Sequence, residues 1–398
     1  TLLIEATGAL GGMGTSGLVP AWCPFSDHQK IIYRGLAEKV FTAAKRGLAH
    51  VGEHDLDWVP IDPERLKRVY DELVTWAGAE VLFNTMVTGL EMRAPGDADV
   101  LVVANKQGLS AYRAKVYVDC SGDADLAAWA GAECEQGGED GQLQGATHCF
   151  MLSNVDDYGY RHGPWLHSNN PQSPIHAIVA DDKYPLVTDP HMCNNLVGPG
   201  TVGFNAGHLW DVDNTDPQSV SKALIQGRRL AAQIRDGLAE YAPQGFANAH
   251  LAATATLLGV RETRRVRGDY WLTAEDLMAF KDFPDNVGRN CYYIDVHARP
   301  GETGKSFGFR FPDGKSHGIP YRALTPKGLR NLLVAGRTIS SDRAANGSLR
   351  VMPVCLVTGE AAGAAAALAA KGNGDVHAVN VPELQRRLTA AGAYLYAD

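Results

Sequence analysis

The stretch Thr1–Leu18, TLLIEATGALGGMGTSGL, constrains the fold more than any other part of the chain. Strand-forming residues lead to one acid, Glu5, and five glycines follow before Leu18. That order reads as a short buried strand feeding a nucleotide-binding loop, with Glu5 placed to accept a hydrogen bond from a ribose hydroxyl. In a dinucleotide fold such an acid ends the second strand, about 20 residues beyond the glycine fingerprint that receives the pyrophosphate. Only four residues precede Glu5, so the natural protein is expected to carry the first strand and its GxGxxG upstream of Thr1.

Asp62-Pro63-Glu64 starts a helix, with an acid cap, a proline at the first helical position and a further acid in the first turn. Leu66, Val69, Tyr70, Leu73, Val74 and Ala77 form its apolar stripe, and Gly78 ends it. A strand over 79–87 follows, extending the parallel sheet begun at 2–5. Two more strands, 99–104 and 110–119, flank a turn at 106–108. The second runs into DCSGDADLAAWAG, where Ser121 and Gly122 offer another close approach to a nucleotide and Asp123 or Asp125 can cap a helix over 126–130. Near the far end, 329–335 reads as a strand, 336–349 as a polar loop, 359–371 as a helix and 380–392 as a terminal amphipathic helix. The 359–371 helix is so bare of side chains that its first N–H groups could serve a carbonyl or phosphate oxygen.

Between these parts the chain is rich in Asn, Asp, His, Pro and aromatics, which marks an inserted α+β substrate domain over 136–322. Within it, 146–152 reads as a strand, 154–207 as irregular chain holding short elements, 217–237 and 247–259 as helices, and 266–272 as a strand. The expected organisation is thus an α/β nucleotide-binding unit built from 1–135 and 323–398 around that insert.

Composition narrows the function classes. A formal charge of -8 without long charged runs argues against a nucleic-acid partner, the cluster Arg261, Arg264, Arg265 and Arg267 being the local exception. The seven cysteines form no CxxC pair, which fits free thiols and a cytoplasmic location. The apolar segment 351–370 is interrupted by Pro353 and Glu360 and reads as a buried helix, not as a membrane insertion. His162, His167, His176 and His191 have irregular separations and no HExxH, so no metal site is expected. Association with copies of itself is compatible with all of this.

Four stretches carry a resemblance: IEATGALGGMGTSG (4–17), VYVDCSGDADLAAWAGA (116–132), GVRETRRVRGDYWLT (259–273) and NLLVAGRTISSDRAANGSLRVMPVCLVTGEAAGAAAALAA (331–370). Together they resemble the FAD-dependent oxidoreductases related to the fumarate reductase and succinate dehydrogenase flavoprotein, in particular a broad bacterial group of FAD-dependent oxidoreductases. The resemblance implies a Rossmann-like FAD-binding domain of the glutathione-reductase-like FAD/NAD(P)-binding type, here N-terminally truncated because no GxGxxG is present. It implies that Glu5 binds the adenosine ribose and that Gly11, Gly12, Met13, Gly14 and Thr15 run past the pyrophosphate and ribityl chain. Val87 would meet the adenine through its backbone, with Ser121 and Gly122 nearby, and Gly336 and Arg337 would lie by the pyrophosphate. Gly359, Ala361 and Ala362 would present a helix N-terminus to the pyrimidine edge of the ring. Arg350 would stabilise the charge that reduced flavin gathers there, or else form a salt bridge at a domain boundary.

Hydride exchange with a flavin also requires a proton to be managed. His297, His28, His148 and Tyr293 are candidates, with His297 first because it follows the strand-like run 291–294. A packed histidine bonded to backbone is the alternative. Arg264 paired with Arg261 could clamp a substrate carboxylate, or these arginines could pair with Glu262, Asp269 and Glu275. The expected function is an FAD-dependent oxidoreductase moving a hydride between flavin N5 and a sugar, polyol or hydroxyacid, with a separate electron acceptor or donor. The alternatives are a reductase of an unsaturated carboxylic acid and a non-catalytic scaffold that has lost its cofactor.

Overall fold

The computed structural model describes residues 1–138, 141–299 and 308–397. Leu2–Ile4 pairs in parallel with Glu80–Leu82, Leu3 lying opposite Val81. The helix Pro63–Trp76 precedes the second of these strands, and the Asp62 carboxylate caps it by accepting from the N–H groups of Glu64 and Arg65. The local helix signal and the parallel α/β unit are therefore both present.

The strand expected over 79–87 is divided. After Leu82 the chain turns at Asn84, which adopts a left-handed φ of 49°, and Met86–Ala94 begins a separate antiparallel sheet with Asp97–Asn105 and Gly108–Arg113. The expected 110–119 strand breaks in the same way. Its first half closes that sheet, while Tyr117–Asp119 pairs in parallel with Leu332–Val334. Alternation alone gives no sign of the change of partner, because it carries no information about which strand lies alongside.

A second sheet has four antiparallel strands in the order His250–Thr254, Phe150–Ser153, Thr201–Ala206, Met192–Gly198. The 25-residue helix Pro217–Tyr241 packs on it through Leu230, Ile234 and Leu238. The helix expected over 247–259 is instead the edge strand of this sheet, with Leu251 opposite Leu152, so tertiary pairing overrides the helix propensity of its alanines. The irregular stretch 154–207 resolves into the helices Asp157–His162 and Pro174–Ala180 and two strands of the sheet.

Two hydrophobic cores result. One gathers residues between Ala146 and Val260; the other holds the two parallel pairs, the long C-terminal helix and also Val266, Leu272, Ile294 and Ile319. The segment with its own core is thus shorter than the expected insert of 136–322. The strand Arg264–Val266 is short and pairs with Cys134–Gln136, which keeps it with the core of the parallel pairs and the C-terminal helix. The expected loop at 336–349 contains the helix Arg343–Leu349, capped by Asp342. The next helix begins at Met352, not at Gly359, because Pro353 occupies its first turn and starts it.

His317 sits on the strand His317–Pro320, fully buried, with Nδ1 bonded to the Gly318 carbonyl and Nε2 to the Asn290 amide. Burial pulls its pKa from 6.5 to about 4, against the bond to Gly318 and aided by Arg289. The folded value lies below the unfolded one, so the stabilisation is complete above about pH 6.5 and is lost as pH falls toward 4, a change of about 3 kcal/mol at full titration. Urea midpoints measured between pH 7 and 4.5 should fall for the wild type and show a shallower pH slope for His317→Gln.

Candidate functional site

The glycine loop lies flat on its neighbours because side chains are missing. Gly11 has a φ of 100°, and a Cβ there would stand 2.5 Å from Tyr70 Cε2. A Cβ on Gly14 would stand 2.8 Å from Leu66 Cδ2 and 3.2 Å from Met352 Sδ. Thr15 is buried and pins the turn by donating to the Leu10 carbonyl at 2.6 Å. Gly12 differs: a Cβ there would meet nothing within 4 Å, so its backbone faces open space. Met13 sits inside this turn, and Glu5 just before it is half-buried, its carboxylate accepting from the N–H and hydroxyl of Thr7.

The second loop follows Tyr117–Asp119. Asp119 accepts from the N–H and hydroxyl of Ser121, and Gly122 turns the chain with a φ of 82°. Neither Asp123 nor Asp125 caps the helix Asp125–Trp129; its N-cap is Ala124 in a left-handed conformation. The Arg337 guanidinium donates to the carbonyls of Gly122 and Val260 and to Asp123 Oδ1, so it is committed to holding this loop. Gly336 donates its N–H to Thr358 and rests on Cys355 of the long helix. Gly359, Ala361 and Ala362 lie two turns inside that helix, and the two alanines are fully buried; the helix N-terminus belongs to Val351, Met352 and Pro353. Val87 lies in Met86–Ala94 opposite Val103, outside the parallel pairs.

These two loops border a recess. Cys120 is exposed and Cys23 and Cys355 are half-buried, yet desolvation pushes their thiols up to about 12, 12 and 11. A group that keeps accessible surface while losing its water lines a concavity. Burial likewise raises Tyr70, which also senses Cys355; Cys355 senses Arg337 and Arg350; Cys23 senses Arg350, Asp295 and Cys193. Gly11 packs on Tyr70 and Gly14 on Met352, and one turn along that helix Cys355 donates to the Arg350 carbonyl, so these residues follow one another from the glycine loop to a polar end around Arg350.

At that end Arg350 donates to Asp295 Oδ2 at 2.9 Å, and the same oxygen lies 3.0 Å from His297 Nε2. His297 Nδ1 lies 2.8 Å from His208 Nε2, and His208 Nδ1 lies 2.9 Å from Asp189. His191 stacks on His208 with ring centroids 4.2 Å apart. Burial acts to raise the pKa of Asp295, but His297, Arg350 and Arg261 together hold it well below the usual carboxylate range. Burial, then Arg261, lowers His297 to about 3. Arg261 is buried, and burial followed by Arg350 lowers its own pKa to about 10. It donates to the Gly145 carbonyl and Thr147 hydroxyl and makes no ion pair among the described residues.

The expected pair of Arg264 with Arg261 does not form. Arg264 turns to Asp125 and the Asp123 carbonyl, while Arg261 precedes the strand and turns to Gly145, Thr147 and Asn205. Arg265 pairs with buried Glu262. His28 is exposed in a surface depression beside Asp57. His148 is bonded to the Ala255 carbonyl, and Tyr293 packs against Tyr292 and Arg310. Both ring nitrogens of His297 are engaged, by Asp295 and His208, so it offers no free nitrogen to a substrate. Sequence reading passes over Asp189, His208 and Asp295. The usable signal is the hairpin register: Met192 opposite Ala206 puts His191 and His208 side by side at its open end.

An extended dinucleotide fits these residues on two observations: the open backbone at Gly12, and a recess walled by accessible but desolvated side chains. The loop is also a place where small changes are felt. Gly11→Ala combines left-handed strain with the Tyr70 clash and should cost about 2–4 kcal/mol, whereas Gly12→Ala should cost only about 1–2. Urea denaturation of the two variants checks that order.

No curated protein matches the sequence. Among solved structures, AlpK shares 12% identity at a TM-score of 0.43, covering 100% of this chain and 65% of its own. BexE, studied for oxidation during BE-7585A biosynthesis, shares 12% at 0.44, covering 98% and 60%. A geranylgeranyl bacteriochlorophyll reductase-like protein from Thermoplasma acidophilum shares 11% at 0.42, covering 98% and 81%. The chain thus spans under two thirds of the length of the first two, and likeness of this degree says nothing about substrate. The sequence profile of one family, described as FAD dependent oxidoreductase, matches residues 1–388. With an α/β architecture consistent with a Rossmann-like FAD-binding fold, this chain belongs to the FAD-dependent oxidoreductase family.

Proposed function

We propose that the enzyme moves a hydride between FAD and a small polar substrate bearing a carboxylate, a hydroxyacid within the wider class of sugars, polyols and hydroxyacids. The FAD-binding part is read as the glutathione-reductase-like type related to the fumarate reductase flavoprotein. When bound, the flavin supplies the two-electron chemistry. Glu5 would hold the ribose, and the Gly11–Thr15 backbone, open at Gly12, would hold the pyrophosphate. Gly336 would lie against the ribityl chain, with the helix N-terminus at Val351 to Pro353 replacing Gly359 as the positive pole near the ring. Arg350 is paired with Asp295, so its charge is shared between that carboxylate and any ligand beside it.

One observation carries the substrate reading: Arg261 is a buried guanidinium without an ion-pair partner among the described residues, tied to the histidine cluster through Gly145, whose N–H donates to the His297 carbonyl. A buried charge of this kind is costly unless matched, and a substrate carboxylate would match it. The same observation favours reduction of an unsaturated carboxylic acid, and the two readings differ in the bond that reacts, an alcohol C–H and O–H in the first and a C=C bond in the second. Purified protein should take up FAD, and anaerobic hydroxyacids should bleach its absorbance more readily than neutral polyols. Reoxidation of the reduced enzyme by unsaturated acids would select the second reading. Arg261→Gln should raise KM for the acid roughly 10- to 100-fold, the worth of a charge-assisted hydrogen bond, with little change for neutral substrates. Equal bleaching of wild type and variant at every acid concentration would remove Arg261 from the substrate site.

A further inference from the structure

The three imidazoles at the polar end present an unresolved pairing. The Asp189 carboxylate can only accept, so His208 carries its proton on Nδ1; Asp295 in the same way keeps the His297 proton on Nε2. In neutral rings the remaining nitrogens, His208 Nε2 and His297 Nδ1, are then both acceptors, and they face each other at 2.8 Å. Something positive belongs between them. His191 lies against both, stacked on His208 and edge-on to His297 with centroids 5.1 Å apart, and its Nδ1 is buried without a hydrogen-bond partner. One ring nitrogen of each histidine lies within 4.8 Å of the others. A single shared proton would satisfy the facing pair and leave His191 Nδ1 unsatisfied, whereas a metal ion can take all three.

We propose that His191, His208 and His297 form a binding site for a divalent transition-metal ion of the zinc class, with Asp189 and Asp295 as its outer carboxylates. Neutral imidazole suits such ions, and metal-bound histidines commonly donate their other N–H to a carboxylate, the arrangement found here twice. Zinc–nitrogen bonds of about 2.0–2.1 Å set ligand nitrogens roughly 3.4 Å apart, so the facing pair opens slightly and His191 closes in. Three histidines leave a fourth position for water or a substrate oxygen. Arg261 acts on all three rings against a cation, and Arg350 acts on His297; the two aspartates oppose them. The site does not depend on the flavin reading.

The test is a titration of chelator-treated whole protein with Co2+, read at wavelengths longer than the flavin bands, followed by Zn2+ competition and metal analysis, with flavin content measured separately. The expected result is one ion per chain with the spectrum of a low-coordinate cobalt site. Affinity should fall at least 100-fold in His208→Ala and in His191→Gln, and roughly 10- to 100-fold in Asp189→Asn, while the surface variant His28→Ala binds as wild type. Wild-type protein that takes up no ion overturns the proposal, whatever the variants do. So does uptake that His208→Ala leaves unchanged, and so does direct detection of one proton shared by His208 and His297 in protein saturated with Zn2+.

Discussion

The close approach of backbone to the Met352–Lys371 helix is the constraint on which the rest of the molecule depends. A Cβ on Gly288 would stand 2.1 Å from Val357, one on Gly35 would stand 2.5 Å from Glu360, and one on Gly14 would stand 3.2 Å from Met352. Gly336 adds a hydrogen bond to Thr358. Chain segments from four distant parts of the sequence therefore touch one helix whose own core face is largely alanine, valine and threonine. Glu360 converts one of these contacts into a cap, its carboxylate accepting from the first N–H of the helix Leu36–Lys45. Dense packing of this kind tolerates little added volume, so it fixes the position of the glycine loop against the helix.

The polar end is held by different forces. Asp189, Arg261, Asp295 and Arg350 are charged groups largely withdrawn from water, and such groups stabilise a fold poorly because desolvation offsets most of their attraction. A hydrocarbon filling would be the more stable choice. Their concentration in one corner of the recess is therefore a mark of chemistry, in line with the general clustering of perturbed ionisable groups at functional sites.

What was legible in the sequence was local. The cap at Asp62, the terminal helix capped by Asn380 and the glycine turn after Glu5 depend on residues a few positions apart, and each is where the chain pattern puts it. Pro353 shows how a correct cue can be misread: taken as an interruption, it displaces the helix start by two turns, although proline in a first turn begins a helix. The alanines near 250 favour a helix in isolation, and only the distant Phe150–Ser153 strand makes them an edge strand. The histidine cluster lay beyond reach for the same reason. Two of its members meet through hairpin register and the third arrives from a segment about 90 residues later, so spacing along the chain holds no trace of it.

His191 and His208 flank the sheet of one core, beside Met192 and Leu209, whereas His297 follows Val296 of the other. The seam between the two bodies is thus closed at this corner by ring nitrogens, assisted by the backbone bond from Gly145 to His297 and the Gln144 side chain. Separating the bodies there requires pulling imidazole from imidazole, not sliding hydrocarbon past hydrocarbon. Whatever occupies the space between those rings also sets how firmly the halves are latched.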